Sequence, residues 1–288
     1  MLKRIVAFFS HTVFKRLCVA VVLLAIYSAI DVFVETSLND DIHFPDGVQA
    51  VLGGVLSLLL VFRTNSAYDR WWEARKLWGQ LVNDTRNLAL KVRTLVKVPA
   101  AERKRAGEVI IAFPNALRDH LRGRRSPYGP EGVNHVPLYL ARAMFENVNR
   151  WKETGAIDGW TQTVLDRHVS AYMDIAGACE RIRNTPLPLS HRALIPQILL
   201  AYILVLPISL PDNAWTILVT CTVGYFMLGL EFIAEELEEP FGHDSDDLPL
   251  EAFCANMERS VLEALNEEIV IPSDSSMSAE KPAVALPV

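Results

Sequence analysis

The sequence has few of the residue groupings on which soluble catalytic chemistry is built. Cysteine is scarce: four in 288 residues, at positions 18, 179, 221 and 254, with no CxxC and no Cys/His pair at metal-ligand spacing. Four packed thiols in a reducing compartment account for that pattern. Seven histidines show neither HxxxH nor HExxH spacing, and there is no GxSxG, P-loop or GxGxxG segment. An enzyme reading therefore has no catalytic constellation to rest on. A basic excess is missing too. The formal net charge is -6, which gives no electrostatic reason to expect nucleic acid as a partner. Lys and Arg are absent altogether from residues 35–47 and 211–213.

What the chain does have is apolar length. At 51% hydrophobic residues and a mean hydropathy of +0.20 it is too apolar for an ordinary soluble domain, yet 22% of it is charged. That mixture predicts a membrane part joined to a polar part. Four segments stand out: "LCVAVVLLAIYSAIDVFV" (17–34), "VQAVLGGVLSLLLVF" (48–62), "ALIPQILLAYILVLPISL" (193–210) and "AWTILVTCTVGYFMLGLEFIA" (214–234). The first approaches the roughly 20 residues that cross a bilayer core and is too long for the apolar region of a cleaved signal peptide. The second is short, and the third carries Pro196 and Pro207, which predict kinks.

Basic residues test the topology. With the N-terminus in the cytoplasm and all four segments crossing, the outer loops are the two stretches without Lys or Arg. Four basic residues then precede the first span, 22 lie between the second and third, and two follow the fourth. This asymmetry satisfies the positive-inside rule and places both termini in the cytoplasm. The first outer loop instead holds Glu35, Asp40, Asp41 and Asp46, an acidic external mouth.

Residues 63–192 contain no further span and are expected to form a helical cytoplasmic domain. Leu77, Leu81, Leu88, Val92 and Leu95 recur at helical spacing, as do Leu165, Val169, Tyr172 and Ile175. The segments 122–137 and 183–190 have the Gly/Pro content of a loop and a connector. The chain thus divides into residues 1–62 with spans one and two, the domain 63–192, residues 193–234 with spans three and four, an acidic segment and helix over 235–270, and a disordered tail at 271–288.

The second span does not stop at the membrane surface. In "LSLLLVFRTNSAYDRWWEARKLWG" (56–79) an apolar run turns within one helical turn into charge and tryptophan, with no Gly or Pro before Gly79. One long helix is expected to leave the bilayer and enter the cytoplasmic domain. On it Val51, Val55 or Gly54, Leu58 and Phe62 form one stripe, followed by Ser66, Asp69 and Glu73. Two readings fit a stripe that passes from apolar to acidic: a packed helix with a solvated end, or a pore lining with a dewetting constriction above a polar vestibule.

The segment "FRTNSAYDRWWEARKLWG" resembles the arginine-tryptophan region of the bestrophin family in its bacterial branch. "EELEEPFGHDSDDLPL" (235–250) is similar to that family's acidic segment after the last membrane helix, and "DHLRG" (119–123) and "CERIRNTPLPLSH" (179–191) resemble the same branch. The likeness spans about residues 1–270. It implies an all-α homopentamer of four-span subunits around one central pore, in the bacterial inner membrane and in contact with its lipids, conducting small ions passively. Chloride is the family's usual ion, with monovalent cation as the rival. No cofactor is implied.

Counting back from Arg70-Trp71, the resemblance places the family's apolar neck on Phe62, Leu58 and Gly54. Gly54 has no side chain, so Val55 or Val51 supplies the upper ring, or the neck is shorter. The calcium clasp of gated relatives has its counterparts at Asp244 and Asp247; Glu239 replaces an Asn of that pattern and His243 differs too, so calcium gating is not carried over. For the second, cytoplasmic constriction of the family, Ile157 and Ile175 are both candidates.

Other residues read as structural. Trp71, Trp72 and Trp78 are expected to anchor the membrane interface and pack between subunits. Arg70 and Arg75 are expected to pair with Asp69 and Glu73. "RGRR" (122–125) reads as a solvated or headgroup-facing patch. A membrane-embedded lipid-modifying enzyme stays open as an alternative, with the acidic run 235–247 its only candidate site. An energy-coupled transporter is disfavoured by four short spans with one interior acid, Asp31.

Overall fold

The computed structural model describes residues 12–38, 47–186, 188–211 and 213–266, and among them every regular element is helical. The helices are α1 (Thr12–Leu38), α2 (Val48–Leu95), α3 (Ala100–Leu121), α4 (Val136–Glu153), α5 (Gly159–Asn184), α6 (Leu189–Val205), α7 (Ala214–Leu237) and α8 (Leu250–Leu265), with a 3-10 turn at Pro207–Ser209. The expected all-α class is what the chain adopts. Helix starts follow local chemistry: Asp158 accepts the Thr161 N–H at 2.7 Å ahead of α5, and Asn213 accepts the Trp215 N–H at 2.9 Å ahead of α7.

Among the described residues three helices, α1, α2 and α7, are long and apolar enough to cross a membrane. The third apolar segment is shorter than its sequence suggests. Its helix spans 17 residues, and the chain then tightens into the 3-10 turn at Pro207, which has no N–H to continue an α-helix. These helices share one apolar core of Leu24, Leu56, Leu60, Ile195, Leu199, Ile203 and Met227. Gly224 sits at the approach of α1 to α7: a Cβ there would stand 2.5 Å from Leu24 Cδ1, so any larger residue would have to displace the Leu24 side chain. The Tyr27 hydroxyl donates to the Leu204 carbonyl at 2.8 Å and ties α1 to α6.

The second, larger core joins α2, α3, α4, α5 and α8 around Trp78, Phe113, Leu117, Leu165 and Tyr172. The Phe113 and Tyr172 rings meet at 4.7 Å, and the buried Tyr172 hydroxyl donates to Thr85 Oγ1 at 3.0 Å. Leu165, Val169, Tyr172 and Ile175 all face this core as their spacing predicts. Leu95 does not: it is 42% exposed, and Val96, at the end of the helix, is buried in its place. Cys179 and Cys254 sit in the same core with thiol pKa values pushed by burial to about 12, and all four cysteines are free.

Helix α2 belongs to both cores. Its 48 residues, about 72 Å at 1.5 Å per residue, run without a break through Gly79 to Leu95. The expectation of one continuous helix leaving the apolar part holds, and its length exceeds the stretch from which it was read.

Candidate pore-lining site

The two faces of α2 have different fates. Leu56, Leu60, Arg63, Ala67, Ala74 and Trp78 recur at intervals that track one face of a helix, and all are buried against the rest of the subunit. Rotated away from them, Val55, Leu58 and Phe62 are 53%, 57% and 59% exposed, and Val51 more so. Ser66 and Asp69 continue the exposed stripe, and Glu73 follows half-buried. A Cβ added at Gly54 would meet nothing within 4 Å, whereas one at Gly53 would lie 2.6 Å from the Tyr202 hydroxyl. Gly53 is thus a packing glycine, and Gly54 leaves a gap in the open face.

A buried ion network fixes this rotation. Arg63, the residue after Phe62, is 3% exposed; its Nε lies 2.8 Å from Glu231 of α7 and its Nη1 3.5 Å from Glu238. Arg192 at the start of α6 reaches the other Glu238 oxygen at 3.1 Å. Two guanidiniums and two carboxylates neutralise one another where the middle of α2, the start of α6 and the end of α7 meet. Desolvated charges of this kind tolerate little displacement, so the pairing pins α2 in the register that turns Phe62 outward. Sequence reading missed this network: spacing shows Arg63 one step off the apolar stripe but not which residues of α6 and α7 meet it.

Below the stripe the expected pairings change partners. Arg70 donates to the backbone carbonyls of Thr185 at 2.7 Å, Ile182 at 2.5 Å and Glu238 at 3.3 Å, closing the C-terminal ends of α5 and α7 rather than pairing with Asp69. Arg75 lies over the Phe253 ring, 4.9 Å from its centre. Glu73 pairs with Arg181 of α5 at 2.9 Å, so one of the three vestibule candidates brings a cation with it, while Asp69 forms no ion pair among the described residues. The tryptophans also divide. Trp78 is wholly buried in the larger core against Phe253, not at a surface; Trp71 donates to the Asp246 carbonyl at 3.0 Å; Trp72 is exposed and stacks with Tyr68. Ile157 and Ile175 are both buried inside the subunit, so neither can line a cytoplasmic constriction. Asp40, Asp41 and Asp46 of the acidic outer loop, and the tail 271–288, lie outside the described residues.

Among the described residues, the side chains of the acidic segment do not converge on one point. The Asp247 carboxylate accepts the Asp244 N–H at 2.5 Å, and a Cβ at Gly242 would lie 2.7 Å from it, so the turn is closed on itself. Glu239 and Asp244 point to exposed surface, and no group of three ligands with these residues converges among those described. The residues do not fit a calcium clasp. Burial raises the Asp247 carboxyl from 3.8 to about 6, helped by the nearby Asp244, Glu239 and Glu236 charges. The folded state therefore binds this proton more tightly than the unfolded chain, and the native turn gains stability as pH falls through 6. Relative to Asp247→Asn, the native protein should melt progressively higher between pH 7 and pH 5; a difference independent of pH would show that this carboxyl does not titrate there.

The one convergent ligand group among the described residues comes from positions 120, 135 and 180, too dispersed for spacing to reveal. His120 Nε2 and His135 Nε2 lie 3.0 and 2.8 Å from the same Glu180 oxygen, and the two rings stack at 4.5 Å. Burial, with His135 alongside, lowers the His120 pKa. Leu138 N–H donates to His135 Nδ1 at 3.0 Å, which leaves the ring proton on Nε2. A metal would need the lone pair at that nitrogen, so the group serves as a hydrogen-bonded clasp between α3, α4 and α5.

The sequence matches the family described as bacterial/fungal bestrophin protein over residues 1–263. It is 35% identical over 238 residues to the voltage-dependent anion channel-forming protein alr2987 of Nostoc, covering 74% of this chain and 77% of that one. The voltage-dependent anion channel-forming protein YneE of Escherichia coli is 30% identical over 240 residues, 78% of each chain. A solved bacterial bestrophin homologue from Klebsiella pneumoniae superposes with a TM-score of 0.78 at 26% identity, covering 88% of this chain and 98% of that chain.

Proposed function

The chain belongs to the bacterial and fungal bestrophin family, and from that premise we propose that it is a passive anion channel, a homopentamer whose five α2 helices surround one central pore. The carrying observation is the exposed stripe of α2: Val51, Val55, Leu58 and Phe62 face away from the subunit, and the same line continues into Ser66 and Asp69. A polar stripe continuous with an apolar one is costly against lipid and is satisfied when copies enclose water around an axis.

In this reading Phe62 and Leu58 form apolar rings that empty of water and raise the barrier to hydrated ions, Val55 narrows the entrance, and Gly54 leaves the ring above Leu58 open. The chain crosses the inner membrane four times, α6 being its short span, with both termini in the cytoplasm and the α2–α5 core below the bilayer. The names of the Nostoc and Escherichia coli relatives favour anions over the cation alternative, and the pairing of Glu73 with Arg181 removes part of the negative field on which that alternative relied.

Two measurements test the reading. The mass of the detergent-solubilised complex should correspond to five copies; a monomer or dimer as the sole species would leave no pore. In a planar bilayer under a KCl gradient, the reversal potential should move toward the chloride equilibrium potential. Movement toward the potassium potential would instead give weight to Asp69 and the outer-loop acids.

A further inference from the structure

A cavity of about 620 Å³ opens on the cytoplasmic domain, away from α2, where the end of α3 and the loop after it meet the end of α5. Arg124, Arg125 and Arg183 line it together with His120, Ser126 and Glu131, three guanidiniums against one carboxylate in a chain whose net charge is negative. Their states differ. Arg183 Nη1 donates to the His120 carbonyl at 2.6 Å, which holds it against the wall. Arg125 reaches Glu131 at 3.3 Å, but both side chains are largely exposed and the pair is weak. The Arg124 side chain forms no ion pair or hydrogen bond among the described residues. Ser126 is 5% exposed, and its hydroxyl is buried without a partner. A buried hydroxyl left unpaired is unfavourable, and it stands in the wall of a cavity rich in cations.

We propose that this cavity binds a phosphate group. Guanidinium forks pair bidentately with oxyanions, and the donors of three of them exceed what the two oxygens of a planar carboxylate can accept. A tetrahedral phosphate offers enough acceptors, and the space is ample for a larger molecule carrying one. Two sources share this chemistry. Arg183 lies six residues before Leu189, the first residue of the apolar helix α6, so at most about 20 Å of chain separates it from the span. An anionic phospholipid headgroup of the cytoplasmic leaflet is within that reach, and so is a soluble phosphate compound.

The purified full-length protein in phosphatidylcholine nanodiscs separates them. Equilibrium dialysis against ³²P-labelled inorganic phosphate measures the soluble source, and native mass spectrometry after exposure to phosphatidylglycerol measures the lipid. Saturable phosphate binding, weakened about tenfold in Arg124→Gln/Arg125→Gln and less in Ser126→Ala, assigns a free phosphate compound. Phosphatidylglycerol retained by the native protein and lost from the double variant, with no phosphate binding, assigns the headgroup. Failure of both, or equal binding by native protein and double variant, overturns the proposal. Both arginines are exposed, and gel filtration of the variant checks that the assembly is intact.

Discussion

Phe62→Ala and Leu58→Ala are each expected to raise single-channel current about tenfold, with the larger effect at Phe62. In the proposed pentamer the Phe62 side chains of five α2 helices form a ring that excludes water, because apolar walls a few ångströms apart cannot replace the hydrogen bonds an ion's hydration shell would lose. Truncation to Ala widens the ring and readmits water, and a barrier lowered by about 1.4 kcal/mol is a tenfold change in rate. Both side chains are more than half exposed in the subunit, so truncation removes little internal packing and the variants should fold. Val51→Ala, farther up the same stripe, is expected to change current much less. Unaltered current in both the Phe62 and Leu58 variants would place the constriction elsewhere.

Arg63→Met should produce the largest loss of stability of any single change on α2. Methionine keeps the bulk but leaves Glu231 and Glu238, both buried, with Arg192 as their remaining cation. Breaking a buried pair from one side costs about 3–5 kcal/mol because a desolvated carboxylate is left uncompensated. Adding Glu231→Gln should recover a substantial part of that loss, since the orphaned charge is removed with it. Thermal unfolding of the solubilised assembly reads both effects. Equal stability of Arg63→Met and the native protein would mean that packing alone orients α2.

The legibility of these features differed with their range. That α2 continues past its apolar part was visible because helix periodicity is local and nothing between Val55 and Arg75 interrupts it. The stripe of Leu58, Phe62, Ser66 and Asp69 was visible for the same reason, and the fold keeps it on one exposed face. The partners of Arg70, Arg75 and Glu73 were misread because spacing reports only neighbours on the same helix. The structure gives each of them a partner more than a hundred residues away, at Thr185, Phe253 and Arg181. Trp78 was read by its type as an interfacial anchor, yet it lies on the face that the larger core covers.

The sequence alone determined what depends on local order and summed transfer energy. Apolar length marks which segments prefer lipid, and the 3.6-residue period turns alternate composition into faces of a helix. Only the tertiary structure decided which face of α2 is covered, which carboxylates meet Arg63, and that His120, His135 and Glu180 converge in one clasp. Those outcomes depend on where α5, α6 and α7 dock. Docking is governed by close packing and by the cost of leaving a charge unpaired away from water, and both are properties of residues brought together from distant parts of the chain.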